Sequence, residues 1–215
     1  MKSTILTLSA LVLLFVLASC SNAKKQADAT ASTETEAVLD VDALLANAGT
    51  MIGQQVTVQG VCTHTCKHGA TKIFLQGSDN SQVLRCEAGQ LGAFSKDCVN
   101  NVVRVTGLVR ETRMDEAYLQ NWKRQYEEAM QQQQNAADAQ FGEQAEALSE
   151  EQQEKLGSSA GCATESAARR EVGNTIDEKI ANYRAQIAAR QAAEGKDYLS
   201  FYHVEAVSYQ IVANE

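Results

Sequence analysis

Gln55-Val56-Thr57-Val58-Gln59-Gly60-Val61 and Val102-Val103-Arg104-Val105-Thr106-Gly107-Leu108-Val109 are the two stretches on which the fold of this chain turns. Both alternate apolar and polar side chains, the period of a half-buried β-strand, and in the first Gly60 suggests a bulge or coil in a long strand. Two shorter runs of the same kind lie between them. Lys72-Ile73-Phe74-Leu75-Gln76 predicts a second strand, Gly77-Ser78-Asp79-Asn80-Ser81 a turn, and Gln82-Val83-Leu84-Arg85-Cys86 a third strand. Residues 90–97 suit a short helical connection before the fourth strand. The aromatic and β-branched stretch 198–212 supplies a fifth. Ahead of them all, Val41-Asp42-Ala43-Leu44-Leu45-Ala46-Asn47-Ala48 makes a short amphipathic helix stopped by Gly49.

Three strands, a short helical connection, a fourth strand and a fifth is the order of a five-stranded OB-like barrel. The two glycine-bearing strands also resemble the V-x-V-x-G-x-V strands of small bacterial OB-fold lipoproteins, over about residues 52–112 and 198–212. What that resemblance implies is a fold, because its motifs are structural and carry no activity. Five strands are few for a β-sandwich, the competing architecture.

A large insertion separates the fourth and fifth strands. In residues 114–156, rich in Ala, Gln and Glu, an apolar stripe runs through Tyr118, Leu119, Trp122, Tyr126, Met130, Phe141 and Leu148. Over 164–194, Val172, Ile176, Ile180, Tyr183 and Ile187 recur every three or four residues, close to a heptad seam. Gly157-Ser158-Ser159-Ala160-Gly161 is a turn between them. The expected architecture is therefore α+β: a five-stranded OB-like β-barrel with a long α-helical hairpin inserted between strands 4 and 5. The barrel takes residues 38–113 and 196–215, the hairpin 114–195.

The N-terminus carries an address. Lys2 precedes an apolar stretch too short to span a bilayer, which marks a signal peptide over residues 1–19. The following Leu17-Ala18-Ser19-Cys20 resembles the lipobox of bacterial lipoproteins, which implies that Cys20 becomes the lipidated first residue. Residues 20–37 are then a lipidated cysteine and a small, polar, flexible tether. Several acyl chains, palmitate among them, are needed for stable anchoring. Ser21 after the lipid cysteine favours the outer membrane, on either its periplasmic or its surface face.

Charge narrows the partners. The formal net charge is −8, and the acid is concentrated in the insertion. Residues 114–195 carry fifteen acids against eight bases, a balance of −7, while 52–112 carry six bases against four acids, a balance of +2. An acidic protein of this kind disfavours nucleic acid, whose affinity rests on neutralised phosphates. The expected partners are the membrane, through the N-terminal lipid, and a protein docked on the amphipathic hairpin.

The stretch richest in chemistry is Cys62-Thr63-His64-Thr65-Cys66-Lys67-His68-Gly69. Thiolate with imidazole is the donor set of zinc and copper(I). On a straight strand Cys62 and Cys66 stand roughly 13 Å apart, at about 3.3 Å per residue, so a shared ion requires a break between them. Pairing the second and third strands about the 77–81 turn sets Lys72 opposite Cys86, at the same end of the sheet as Cys66 and His68. Cys162 opens the second helix. A straight hairpin holds it roughly 45 Å from the barrel, at about 1.5 Å per residue, whereas a break at Gly173-Asn174 folds Cys162 and Glu165 back.

The candidate metal ligands are thus Cys62, Cys66, His68, Cys86 and Cys162, with zinc or copper(I) as the ion. A disulfide among Cys62, Cys66, Cys86 and Cys98 competes with them, as does a redox-active Cys62–Cys66 pair. Covalent haem is disfavoured, because three residues separate these cysteines and Lys67 precedes His68. His203, mid-strand among aromatics, suits a packed histidine. No catalytic motif appears: the sequence contains neither G-x-S-x-G nor H-E-x-x-H, and its turn glycines are isolated. The functional expectation is a lipid-anchored, non-enzymatic binding module of the cell envelope, with a thiol–disulfide redox protein as the alternative.

Overall fold

Alternation at 55–61 and 102–109 builds the wall of a closed barrel. In the computed structural model the chain is described over residues 37–67, 69–80, 82–141, 147–157 and 162–212. The signal peptide, Cys20, nearly all of the tether and His68 lie outside the described residues.

The elements run β1 (Val38–Asp40), α1 (Val41–Asn47), β2 (Gln55–Thr65), β3 (Lys72–Gln76), β4 (Val83–Glu87), β5 (Val102–Met114), α2 (Glu116–Phe141), α3 (Glu150–Lys155), α4 (Ala163–Arg169), α5 (Ile176–Glu194) and β6 (Leu199–Val212). Strands pair in the order β2-β3-β4-β6-β5, and β5 closes back on β2. Within that ring β4 and β6 are parallel and every other pair is antiparallel. This is the strand order of an OB-like barrel. The short β1 adds a parallel edge outside the ring, against Thr57–Gln59 of β2. Three residues long, it follows the polar tether too closely to leave a periodic signal of its own.

Alternation also decides the interior. Val58, Cys62, Ile73, Leu75, Leu84, Cys86, Val103, Val105, Val109 and Val204 all point inward, and α1 adds Val41 and Leu44. Asp40 caps α1 by accepting the amide of Ala43 at 2.6 Å, and the Asp42 carboxylate accepts the amide of Ser78 at 2.8 Å. The helix is thereby tied to the β3–β4 turn.

Two departures from regular pairing matter. The β5–β6 register shifts between Thr106 and Gly107. The β2–β3 register shifts between Cys62 and His64, so that Cys62 faces Leu75 while His64 faces Phe74. The β3–β4 pairing, which is regular, corrects the expected register of Cys86. Lys72 pairs with Glu87 and Ile73 with Cys86, one step from the sequence expectation, and one step turns a side chain to the opposite face of a sheet.

The helical insertion falls between β5 and β6, the fourth and fifth strands of the barrel. Its long members, α2 and α5, pack through a second core of Met114, Leu119, Trp122, Ile180, Tyr183, Leu199 and Phe201. Arg184 grips Glu116 through two hydrogen bonds, of 2.8 and 2.5 Å, and Lys123 meets Asp177 at 2.6 Å.

The second arm is not one helix from 164 to 194. α4 ends at Arg170, which adopts a left-handed φ of 53°, and the amide of Glu171 reaches back to the carbonyl of Ser166. Gly173 turns the chain at a φ of 121°, and Thr175 opens α5 with a capping box to Glu178. Val172, expected in the seam, is 59 % exposed, and the apolar stripe begins at Ile176. No described helix is long and apolar enough to cross a membrane.

Candidate functional site: the Cys162–His64 junction

A residue inserted into β2 decides which side chains meet α4. Cys62 and His64, two apart, would share a face of a regular strand. The bulge reverses that: Cys62 enters the barrel interior, and His64 turns to the outer face, its ring 5.7 Å from that of Phe74. Phe74 is fully buried yet separate from the barrel core, between the inward-facing Ile73 and Leu75. The outer face of β2, β3 and β4 is therefore a covered surface, and α4 covers it.

Cys162 caps α4 and accepts the amide of Glu165 on its sulfur at 3.5 Å. The same sulfur lies 3.2 Å from Nε2 of His64, across 98 residues of sequence. Of the five cysteines described, Cys162 is the one that is not buried.

One turn further along, the helix drives charge into the interface. Glu165 is 3 % exposed, 3.2 Å from Lys72 Nζ and 3.8 Å from Arg85 Nη1. Arg85 also meets Glu87 at 3.1 Å, and Glu87 stands 3.7 Å from Nε2 of His203. Buried Glu171 receives Lys179 at 2.6 Å, with Arg169 at 3.9 Å.

Burial draws the Arg85 guanidinium below its ordinary pKa, and Glu87 opposes the shift. Burial, with Arg85 beside it, likewise lowers the imidazole pKa of His203. Arg85 Nε and His203 Nδ1 are enclosed without a hydrogen-bond partner among the described residues. Charges this deep are costly unless paired, and here each carboxylate meets a cation as α4 lies against the barrel.

Among the described residues the expected ligands do not come together as a group, and His68 lies outside them. Cys62 and Cys86 are sealed in the barrel core with Cys98. There, burial and the neighbouring Cys98 push the Cys62 thiol up to about 11, and burial raises Cys86 further. Cys66 is buried beyond the end of β2, its amide donating to the Lys72 carbonyl at 3.0 Å.

Cys86 does not join Cys66 as a ligand, because the one-step register change turns it inward. Nor do Cys62 and Cys66 present an accessible redox pair, since Cys62 lies in the closed core and Cys66 is covered. Among the described residues no group of three or more His, Cys, Asp or Glu side chains is arranged to hold a metal ion. The partner of Cys162 is instead His64, absent from the expected set although it stands in the quoted Cys/His stretch. The missing signal is the bulge, which leaves the residue alternation of β2 unmarked.

Beside α4 runs a cleft of about 530 Å³, lined by Leu45, Val83, Ala168, Arg170, Phe201 and Tyr202. The Arg170 guanidinium lies over the Phe201 ring, 5.3 Å from its centroid. No protein-family model matches the chain, and no curated protein matches it.

Proposed function

We propose that this chain is a lipid-anchored, non-enzymatic binding module of the bacterial envelope, holding a soft metal ion between Cys162 and His64. The observation that carries the reading is the 3.2 Å approach of Cys162 Sγ to His64 Nε2. A thiolate and an imidazole on neighbouring but separate elements suit a soft or borderline ion such as copper(I) or zinc. Loss of the thiol proton and of the Sγ–Nε2 hydrogen bond lets both atoms turn to the ion. The anchor is Cys20, on the strength of the lipobox that precedes it. The acidic insertion, joined to the barrel through buried ion pairs, is a surface for a protein partner.

The anchor is tested by expressing the full chain in a Gram-negative host fed labelled palmitate. Label and membrane fractionation are expected for the native chain and should vanish in Cys20→Ser; an unlabelled native chain defeats the assignment. The metal is tested on mature protein purified anaerobically and analysed for zinc and copper. One ion per chain is expected, retained in Cys62→Ser and lost in both Cys162→Ser and His64→Gln. Protein that takes up neither ion overturns the metal part of the reading.

A further inference from the structure

The geometry points to a second chemistry for the same pair: Cys162 is a nucleophilic thiol, activated by His64, that captures a small disulfide as a mixed disulfide. The inference needs no metal and concerns the pair in its metal-free state. Three observations carry it.

The sulfur of Cys162 lies within hydrogen-bond reach of Nε2, the arrangement in which an imidazole removes the proton as a thiol attacks. The imidazole also packs beside the buried Phe74 ring, tilted at 41° with the centroids 5.7 Å apart. Exposure then selects this thiol, because Cys62, Cys66, Cys86 and Cys98 are all buried. Partial cover of Cys162 favours a small disulfide as the partner.

The step balances without any further reagent. With neutral His64 carrying its proton on Nδ1, Nε2 accepts the Cys162 proton. Sγ attacks one sulfur of R–S–S–R′, the Cys162–S–R bond forms, and the S–S bond of the small molecule breaks. R′–S⁻ leaves with the electron pair and takes the proton from the imidazolium. The small disulfide is the oxidant, and its departing half is the reduced product. Because the other described thiols are enclosed, the product is a capped Cys162, released by a second small thiol.

The probe is hydroxyethyl disulfide, added to the intact mature chain in the presence of a chelator. Tryptic mapping follows the peptide of residues 156–169, which contains Cys162 as its one cysteine. Three results are expected. The adduct forms on that peptide and not on those carrying Cys62, Cys66, Cys86 or Cys98. It forms about ten-fold faster in the folded chain than in the same chain unfolded in urea at the same pH, the direction expected of a paired, accessible thiol. His64→Ala slows it by about as much, and added imidazole restores part of the rate.

A folded chain reacting no faster than the unfolded one overturns the inference, and that comparison holds even if the variant fails to fold. So does a His64→Ala chain reacting like the native one, or one that imidazole does not rescue. The chelator keeps this outcome separate from the metal test: a chain that binds no ion can still pass here, and a metal-binding chain can fail.

Discussion

Glu165 on α4 and Lys72 on β3 meet at 3.2 Å inside the protein, with the glutamate 3 % exposed. Arg85 stands on the other side of the same carboxylate. The contact joins the helical insertion to the barrel and holds Cys162, three residues before Glu165, within reach of His64.

Removing the carboxylate takes away the buried anion that Lys72 and Arg85 share. Glu165→Ala is expected to destabilise the protein by about 3 kcal/mol in urea unfolding, the scale for breaking one partner of a buried pair. Lys72→Met on that background should recover part of the loss. A cost under about 1 kcal/mol would show that α4 docks without the ion pair.

Gly107 faces a comparable test in the barrel. A side chain there would collide with the Glu205 carbonyl oxygen and come within 2.7 Å of Val204 Cγ1. Both neighbours belong to β6, and backbone cannot move aside as a flexible side chain can. Gly107→Ala should therefore cost more than about 2 kcal/mol, seen as a lower midpoint in thermal unfolding.

Alkaline pH should weaken the fold through its enclosed thiols. Cys62 keeps its proton up to about 11 in the folded chain, against an ordinary 9.0, chiefly because burial disfavours the thiolate. The unfolded chain gives up that proton first, so unfolding releases it. Stability from this group is complete below about pH 9 and falls as pH rises towards 11, by about 2 kcal/mol. Cys86 acts in the same direction. Urea midpoints measured from pH 7 to 11 should decline more shallowly in Cys62→Ala; parallel declines would remove Cys62 from the account.

In the second core, the Tyr183 hydroxyl donates to the Arg169 carbonyl at 2.9 Å and so ties α5 to the end of α4. Tyr183→Phe keeps the ring against Trp122 and Phe201 but leaves that carbonyl without its donor. A loss of about 1 to 2 kcal/mol in thermal unfolding is expected. An unchanged midpoint would mean that water or a neighbouring donor replaces the hydroxyl.

The legible part of the fold follows from periodicity. The alternating runs mark β2 to β6 in order, and the three-and-four spacing of Ile176, Ile180, Tyr183 and Ile187 marks the buried side of α5. Gly173 carries the chain through a φ of 121° between α4 and α5, a conformation that glycine adopts readily and other residues rarely do. The candidate site was less legible. The quoted Cys/His stretch contains His64 but leaves open which residues share a face, because one inserted residue in β2 reverses them. For a related reason a register one step away sends Cys86 inward.

By itself the sequence determined the order of strands, the place of the helical insertion and the clustering of cysteine and histidine residues near the end of β2. These depend on local patterns of apolar and polar residues, which local chain geometry converts directly into faces. Only the tertiary structure decided that His64 meets Cys162, that Cys62 and Cys86 are sealed in the core, and that Glu165 is buried rather than solvated. Those outcomes hang on a bulge, a one-residue register and the return of α4 to the barrel, and each is settled by packing between segments far apart in the chain.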